Sequence, residues 1–72
     1  MENKLDIFSY NLRLLRKKRN LTQEKAAQKL GCSRAAYSSY ERGRKMPPGW
    51  LLFDIASFYG VRSDKITSEK IV

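Results

Sequence analysis

The chain contains no histidine and only one cysteine, Cys32. The usual imidazole and thiolate ligands of zinc sites are therefore missing, and a lone cysteine leaves no internal disulfide. Without histidine, without a nucleophile–base set and without a metal-ligand cluster, no enzyme is expected, and neither a metal nor a cofactor is implied. No apolar run approaches the roughly 18 residues that a membrane span requires. The N-terminus lacks an apolar core followed by a small-residue cleavage site, so export is not expected and a reducing cytoplasm is the default compartment. Proline is confined to Pro47-Pro48, and no alternating strand pattern, internal repeat or low-complexity segment interrupts the chain. Acidic residues are also scarce, seven Asp and Glu against fifteen Lys and Arg.

What remains is a 72-residue chain with 42% apolar and 31% charged residues, a balance that suits one small globular domain rather than a disordered segment. The net charge of +8 is unevenly placed. Residues 13–45 hold eleven Lys and Arg against Glu24 and Glu41, a balance of +9, while the rest of the chain carries −1. A merely solvated surface would mix its signs along the chain. Charge concentrated in one stretch favours a polyanion, through counterion release and steering, and points to nucleic acid.

Asn20, Gly31, Gly43 and Gly60 each follow a segment of helical period and can take the left-handed conformation that ends a helix. They divide residues 1–72 into a single all-α domain with helices expected at about 5–19, 22–30, 33–42, 48–59 and 63–68, and a frayed tail over 69–72. Phe8, Leu12 and Leu15 form an inward stripe on the first helix. Thr22 and Ser33 are placed to cap the second and third helices, and Pro47-Pro48 marks the entry to the fourth. Ala26, Ala27 and Leu30 face inward from the second helix, and Ala36, Tyr37 and Tyr40 from the third. Leu52, Phe53, Ile55, Ala56 and Tyr59 are expected to supply the main hydrophobic wall, closed by Val61 and Ile66. Trp50 lies on the opposite side of its helix, either partly exposed or covered by a second subunit. Cys32 reads as a small buried apolar residue.

Two short helices joined by a tight turn at Gly31, within Thr22–Gly43, have the geometry by which one helix braces another in a DNA major groove. The ordered set Thr22-Gln23, Ala27, Gly31, Ser33, Tyr40-Glu41-Arg42-Gly43 and Pro47 resembles the Xre/Cro family of phage-repressor-like helix-turn-helix domains. The similarity covers roughly residues 8–67 and includes Ile55-Ala56 followed by Gly60-Val61. Three positions depart from the commonest family pattern: Ala26 where a larger aliphatic is usual, Cys32 in the turn, and Tyr37 in place of an aliphatic on the recognition helix. These affect core packing rather than the outer face.

The resemblance implies a compact five-helix, lambda-repressor-like DNA-binding domain. It assigns base reading to Arg34, Ala35, Ser38 and Ser39, two i, i+4 pairs on one helix face. An arginine there suits guanine and an alanine suits a thymine methyl. It assigns backbone contact to Gln23, Ser33, Arg42, Arg44 and Lys45, with Arg13 and Lys17 reaching the same strand from the first helix. Arg16 and Glu41 are implied as a structural ion pair. The expected protein is a sequence-specific regulator of double-stranded DNA, of bacterial or phage origin, cytoplasmic and associated with the nucleoid, a repressor before an activator. It would act as a homodimer through its C-terminal helices, with no membrane contact and no small-molecule effector domain. The rival readings are an antitoxin-like or protein-interaction module that binds DNA to regulate itself, and a basic amphipathic binder of membrane surfaces.

Overall fold

Helices in this chain stop for local reasons, and the stops set the architecture. The computed structural model describes residues 3–71. It contains α1 (Lys4–Lys18), α2 (Gln23–Leu30), α3 (Arg34–Glu41), α4 (Gly49–Phe58) and α5 (Ser63–Ile66), with no strand among the described residues. Asn20, Gly31, Gly43 and Gly60 all hold positive φ, between 57° and 74°. Each sits in the same hydrogen-bonded exit. At Gly31 the Cys32 N–H donates to the Ala27 carbonyl at 3.0 Å and the Gly31 N–H to Gln28 at 3.2 Å. The same pair recurs with Leu21 to Arg16 and Asn20 to Lys17, Arg44 to Ser39 and Gly43 to Tyr40, and Val61 to Ala56 and Gly60 to Ser57. A left-handed residue thus turns the chain while satisfying carbonyls that the helix leaves open.

Entry to the helices is equally local. The Asn3, Thr22 and Ser33 side chains accept from the backbone N–H three residues on, at 2.9, 3.1 and 3.0 Å. Such caps each contribute about 1 kcal/mol. Pro48 occupies the cap position of α4 and makes no side-chain cap bond.

The five helices enclose one core. α2 and α3 pack on each other, α3 also on α1, α4 on α2 and α5, and α5 on α1. Phe8, Leu12 and Leu15 of α1 are buried together with Ala26, Ala27, Tyr37, Tyr40 and Ile66. Leu30, Ala36, Cys32 and Val61 are partly buried against this cluster. Cys32 is less enclosed than its sequence reading suggests, and the partial desolvation pushes its thiol pKa up.

The wall contributed by α4 differs from the expected one. Leu51, Ile55, Ala56 and Tyr59 are buried and Leu52 is half-buried, whereas Phe53 is 61% exposed. Leu51, Ile55 and Tyr59 recur at i, i+4, i+8 and set the inward phase. Phe53, two residues from Leu51, is then turned about 200° away from it. It falls beside Trp50, three residues earlier and 68% exposed.

A second difference concerns Asn11 and the chain end. α5 closes at Ile66 rather than at 68. Asn11 lies fully buried beside Leu12, on the inward side of α1. Its amide Nδ2 donates to the carbonyls of Ile66 and Glu69, both at 2.9 Å, and its Oδ1 accepts from the Ile71 N–H at 2.8 Å. Residues 69–71, expected to fray, are thereby tied to α1, with Ile71 packed against the core. Val72 lies outside the described residues.

Asn11→Ala should destabilise the fold by about 2–3 kcal/mol in urea unfolding, because two carbonyls and one amide lose a partner. Hydrogen exchange at the Ile71 amide should become fast while α2 and α3 stay protected. Unchanged exchange at Ile71 would show that the side chain does not hold the segment.

Candidate nucleic-acid interface

Glu41, the last residue of α3, organises the surface around it. Its side chain is only 2% exposed, and it accepts from Arg16 Nε at 2.6 Å and from Arg16 Nη2 at 3.1 Å. Arg16, 15% exposed, also donates to the Leu21 carbonyl at 2.8 Å. Its guanidinium pKa is raised, first by the hydrogen bond to Glu41, with burial opposing. Gln23, at the first turn of α2, donates from Nε2 to Glu41 Oε1 at 3.0 Å. Arg13 donates to the backbone carbonyl of Glu41. One carboxylate and its carbonyl therefore gather α1, α2 and the end of α3.

Further along the inner face of α3, the hydroxyls of Tyr37 and Tyr59 lie 2.7 Å apart in the buried interior. Burial is the main cause that pushes both phenol pKa values up, and the nearby Glu41 carboxylate adds to the rise. Both phenols therefore stay protonated through the neutral range. No buried side-chain nitrogen or oxygen lacks a hydrogen-bond partner among the described residues.

With Tyr37, Tyr40 and Glu41 turned inward, the opposite side of α3 is left to solvent. Arg34 and Ala35 are exposed, and Ser38 and Ser39 are half-exposed. Ser39 Oγ donates to the Ala35 carbonyl at 3.1 Å, a common bond within a helix that leaves the oxygen free to accept. Ser33 is engaged as the cap of α3.

Beyond α3, Arg42, Arg44 and Lys45 are all exposed. The loop that carries them is held to the core from two sides. A Cβ on Gly43 would meet Ser9 Oγ at 3.3 Å, so the chain passes close to α1 there. Lys45 Nζ stands 5.9 Å from the centroid of the Tyr40 ring, a cation–π contact. On α1, Arg13 and Lys17 share a shallow groove with Tyr10 and Leu14, and Lys17 is exposed.

The structure thus places Arg34, Ala35, Ser38 and Ser39 along one helix side and Arg42, Arg44 and Lys45 on the adjoining loop. Arg13 and Gln23 are each already engaged with Glu41. Two buried polar side chains, Asn11 and Tyr59, escape a reading of the sequence for function. An asparagine set among the inward residues of α1 is the signal that marks the first. Nothing local marks the second, which reads as one more apolar residue of α4.

A helix-turn-helix family profile matches residues 12–66. The HTH-type transcriptional regulator YqaE of Bacillus subtilis is 41% identical over 58 residues, 81% of this chain and 50% of YqaE. MJ0272, an HTH-type transcriptional regulator of Methanocaldococcus jannaschii, is 41% identical over 66 residues, covering 92% of this chain and 89% of its own length. The cryptic phage CTXphi transcriptional repressor RstR of Vibrio cholerae is 35% identical over 63 residues, 88% of this chain and 57% of RstR. The chain therefore spans about half the length of YqaE and of RstR, and nearly all of MJ0272. No solved structure matches this chain.

Glu41→Ala should cost about 3–5 kcal/mol of stability, because the largely enclosed Arg16 charge is left without its carboxylate. Replacing both partners, as in Arg16→Met with Glu41→Leu, should recover most of that loss. Urea unfolding of the three variants checks this. Equal instability in the double variant would show that packing, not an orphaned charge, dominates.

Proposed function

Since the chain belongs to the Xre/Cro-like helix-turn-helix family and is a DNA-binding transcriptional regulator rather than an enzyme, we propose that it is a sequence-specific repressor acting as a homodimer. α3 enters the major groove in this reading. Arg34 pairs with a guanine, Ala35 meets a thymine methyl, and Ser38 and Ser39 approach base edges or phosphate. Gln23, Ser33, Arg42, Arg44 and Lys45 hold the sugar-phosphate backbone on either side, with Arg13 and Lys17 adding charge from α1.

One observation carries the reading. The inner side of α3 is bound into the core through Tyr37, Tyr40 and Glu41, so the outward side is held at a fixed presentation. That side is small except for one arginine, which permits close approach to base edges. It lies within the stretch that carries the +9 charge. Repression is supported by the name of RstR, the phage repressor among the similar proteins.

Association is supported by Trp50 and Phe53, two large apolar side chains three residues apart on α4, 68% and 61% exposed. Contiguous exposed apolar patches are a mark of contact surfaces. A two-fold pairing would set two recognition helices about 34 Å apart, one turn of DNA. The same rings are what an antitoxin-like or other protein-binding module would present, and copurification of a second protein in place of self-association would favour that reading.

Selection of bound fragments from genomic DNA at physiological salt should return a short sequence with two symmetric half-sites. Arg34→Ala should weaken binding to that sequence by about 1–3 kcal/mol and leave binding to random duplex little changed. Arg44→Ala should weaken both alike and flatten the dependence of affinity on salt by about one unit. Equal losses on both DNAs for Arg34→Ala would reduce that residue to a phosphate contact.

Trp50→Glu should convert the dimer to monomer in analytical ultracentrifugation while leaving the helical spectrum intact. A wild-type protein that sediments as a monomer with and without DNA would end the dimeric reading.

A further inference from the structure

The Tyr37–Tyr59 pair joins two helices that otherwise meet chiefly through α2. α3 rests chiefly on α1 and α2, and α4 on α2 and α5. Tyr37 reaches from the middle of the recognition helix to the C-terminal cap of α4, where Tyr59 is buried. Tyr59 is itself fixed from two sides. The Phe58 ring meets it edge-on at 4.8 Å, and the Arg19 guanidinium stands 5.6 Å from its centroid.

Either phenol can be the donor in this pair. A hydroxyl pair uses one hydrogen between the two oxygens and leaves one more to donate. Glu41 lies one helical turn beyond Tyr37 on α3. Arg16 and Gln23 donate to Glu41, and Tyr37 and Tyr59 share one hydrogen between their oxygens, so buried polar contacts reach from α1 and α2 through α3 to the end of α4.

We propose that Tyr37 and Tyr59 are positioning residues for DNA reading: their hydroxyl bond sets the rotation of α3 about its axis and thereby where Arg34 and Ser38 point. This rests on the reading of α3 as the helix that contacts bases. Tyr37 is flanked by Arg34 one turn before it and by Ser38 immediately after it, so rotation about the tyrosine displaces both. Phosphate contacts made by long, exposed side chains on the loop tolerate such a rotation far better than a bidentate pair with a base edge, which needs fixed geometry.

The test uses Tyr37→Phe, Tyr59→Phe and the double variant, all retaining the rings. Each is measured for urea stability and for affinity to the selected DNA sequence and to a random duplex, at a temperature where every variant is folded. Each single variant should lower the ratio of specific to random binding by roughly three- to tenfold, the scale of one net hydrogen bond, with the salt dependence unchanged. The double variant leaves no buried hydroxyl unpaired, so its stability should recover toward wild type while the ratio stays low. A double variant that regains both would mean that the bond only satisfies buried oxygens, and the proposal fails. So does a ratio untouched in all three while wild type still prefers its selected sequence. A wild type with no preference between the two DNAs overturns the base-reading role of α3, and this inference with it.

Discussion

The Glu41 carboxylate occupies a position that is unfavourable by itself. It is the final residue of α3, where the helix dipole already places negative charge, and it is almost wholly removed from water. It is tolerated there because Arg16 and Gln23 both donate to it, while Arg13 donates to its carbonyl. Buried pairs of this kind add little net stability compared with well-packed apolar residues, because desolvation offsets much of the attraction. Their effect is on arrangement. A carboxylate that must be met by groups from α1 and α2 admits few relative placements of these helices, and α3 ends wherever the carboxylate does.

The outward chemistry follows from that inward commitment. An eight-residue helix has little side-chain surface, and Tyr37, Tyr40 and Glu41 take the part that faces the core. What is left is small and polar apart from Arg34. The loop after α3 is bound in the same way, through the close pass of Gly43 by Ser9 and the stacking of Lys45 on Tyr40, so its cations stand beside α3 rather than trailing from it. Gln23 belongs to both sides. One amide hydrogen is engaged with Glu41, which leaves its carbonyl and its second hydrogen outside that bond. Core and candidate interface are therefore the two faces of the same three helices.

Helix boundaries were legible because they depend on neighbours in sequence. Asn20, Gly31, Gly43 and Gly60 turn the chain through left-handed backbone, and Thr22 and Ser33 cap through bonds spanning three residues. The inward stripe of α1 was legible because Phe8, Leu12 and Leu15 keep the i, i+4, i+7 spacing of one helix face. The face of α4 was not. Leu51, Leu52, Phe53, Ile55, Ala56, Phe58 and Tyr59 surround that helix with apolar side chains, so periodicity gives no phase. Contact with α2 and α5 selected Leu51 over Phe53. Nor could the sequence announce that Asn11 meets carbonyls and an amide 55 to 60 residues away.

By itself, then, the sequence determined where the first four helices begin and end to within a residue, where positive charge collects and which family pattern Thr22–Gly43 follows. These depend on local backbone chemistry and on counting charges, and both act without regard to the rest of the fold. Tertiary structure alone decided which apolar residues of α4 face outward, that the segment after α5 docks on Asn11, and that Tyr37 finds Tyr59. Each of those required two distant surfaces to meet. A buried hydroxyl or amide takes whichever partner the packing of other elements brings within about 3 Å.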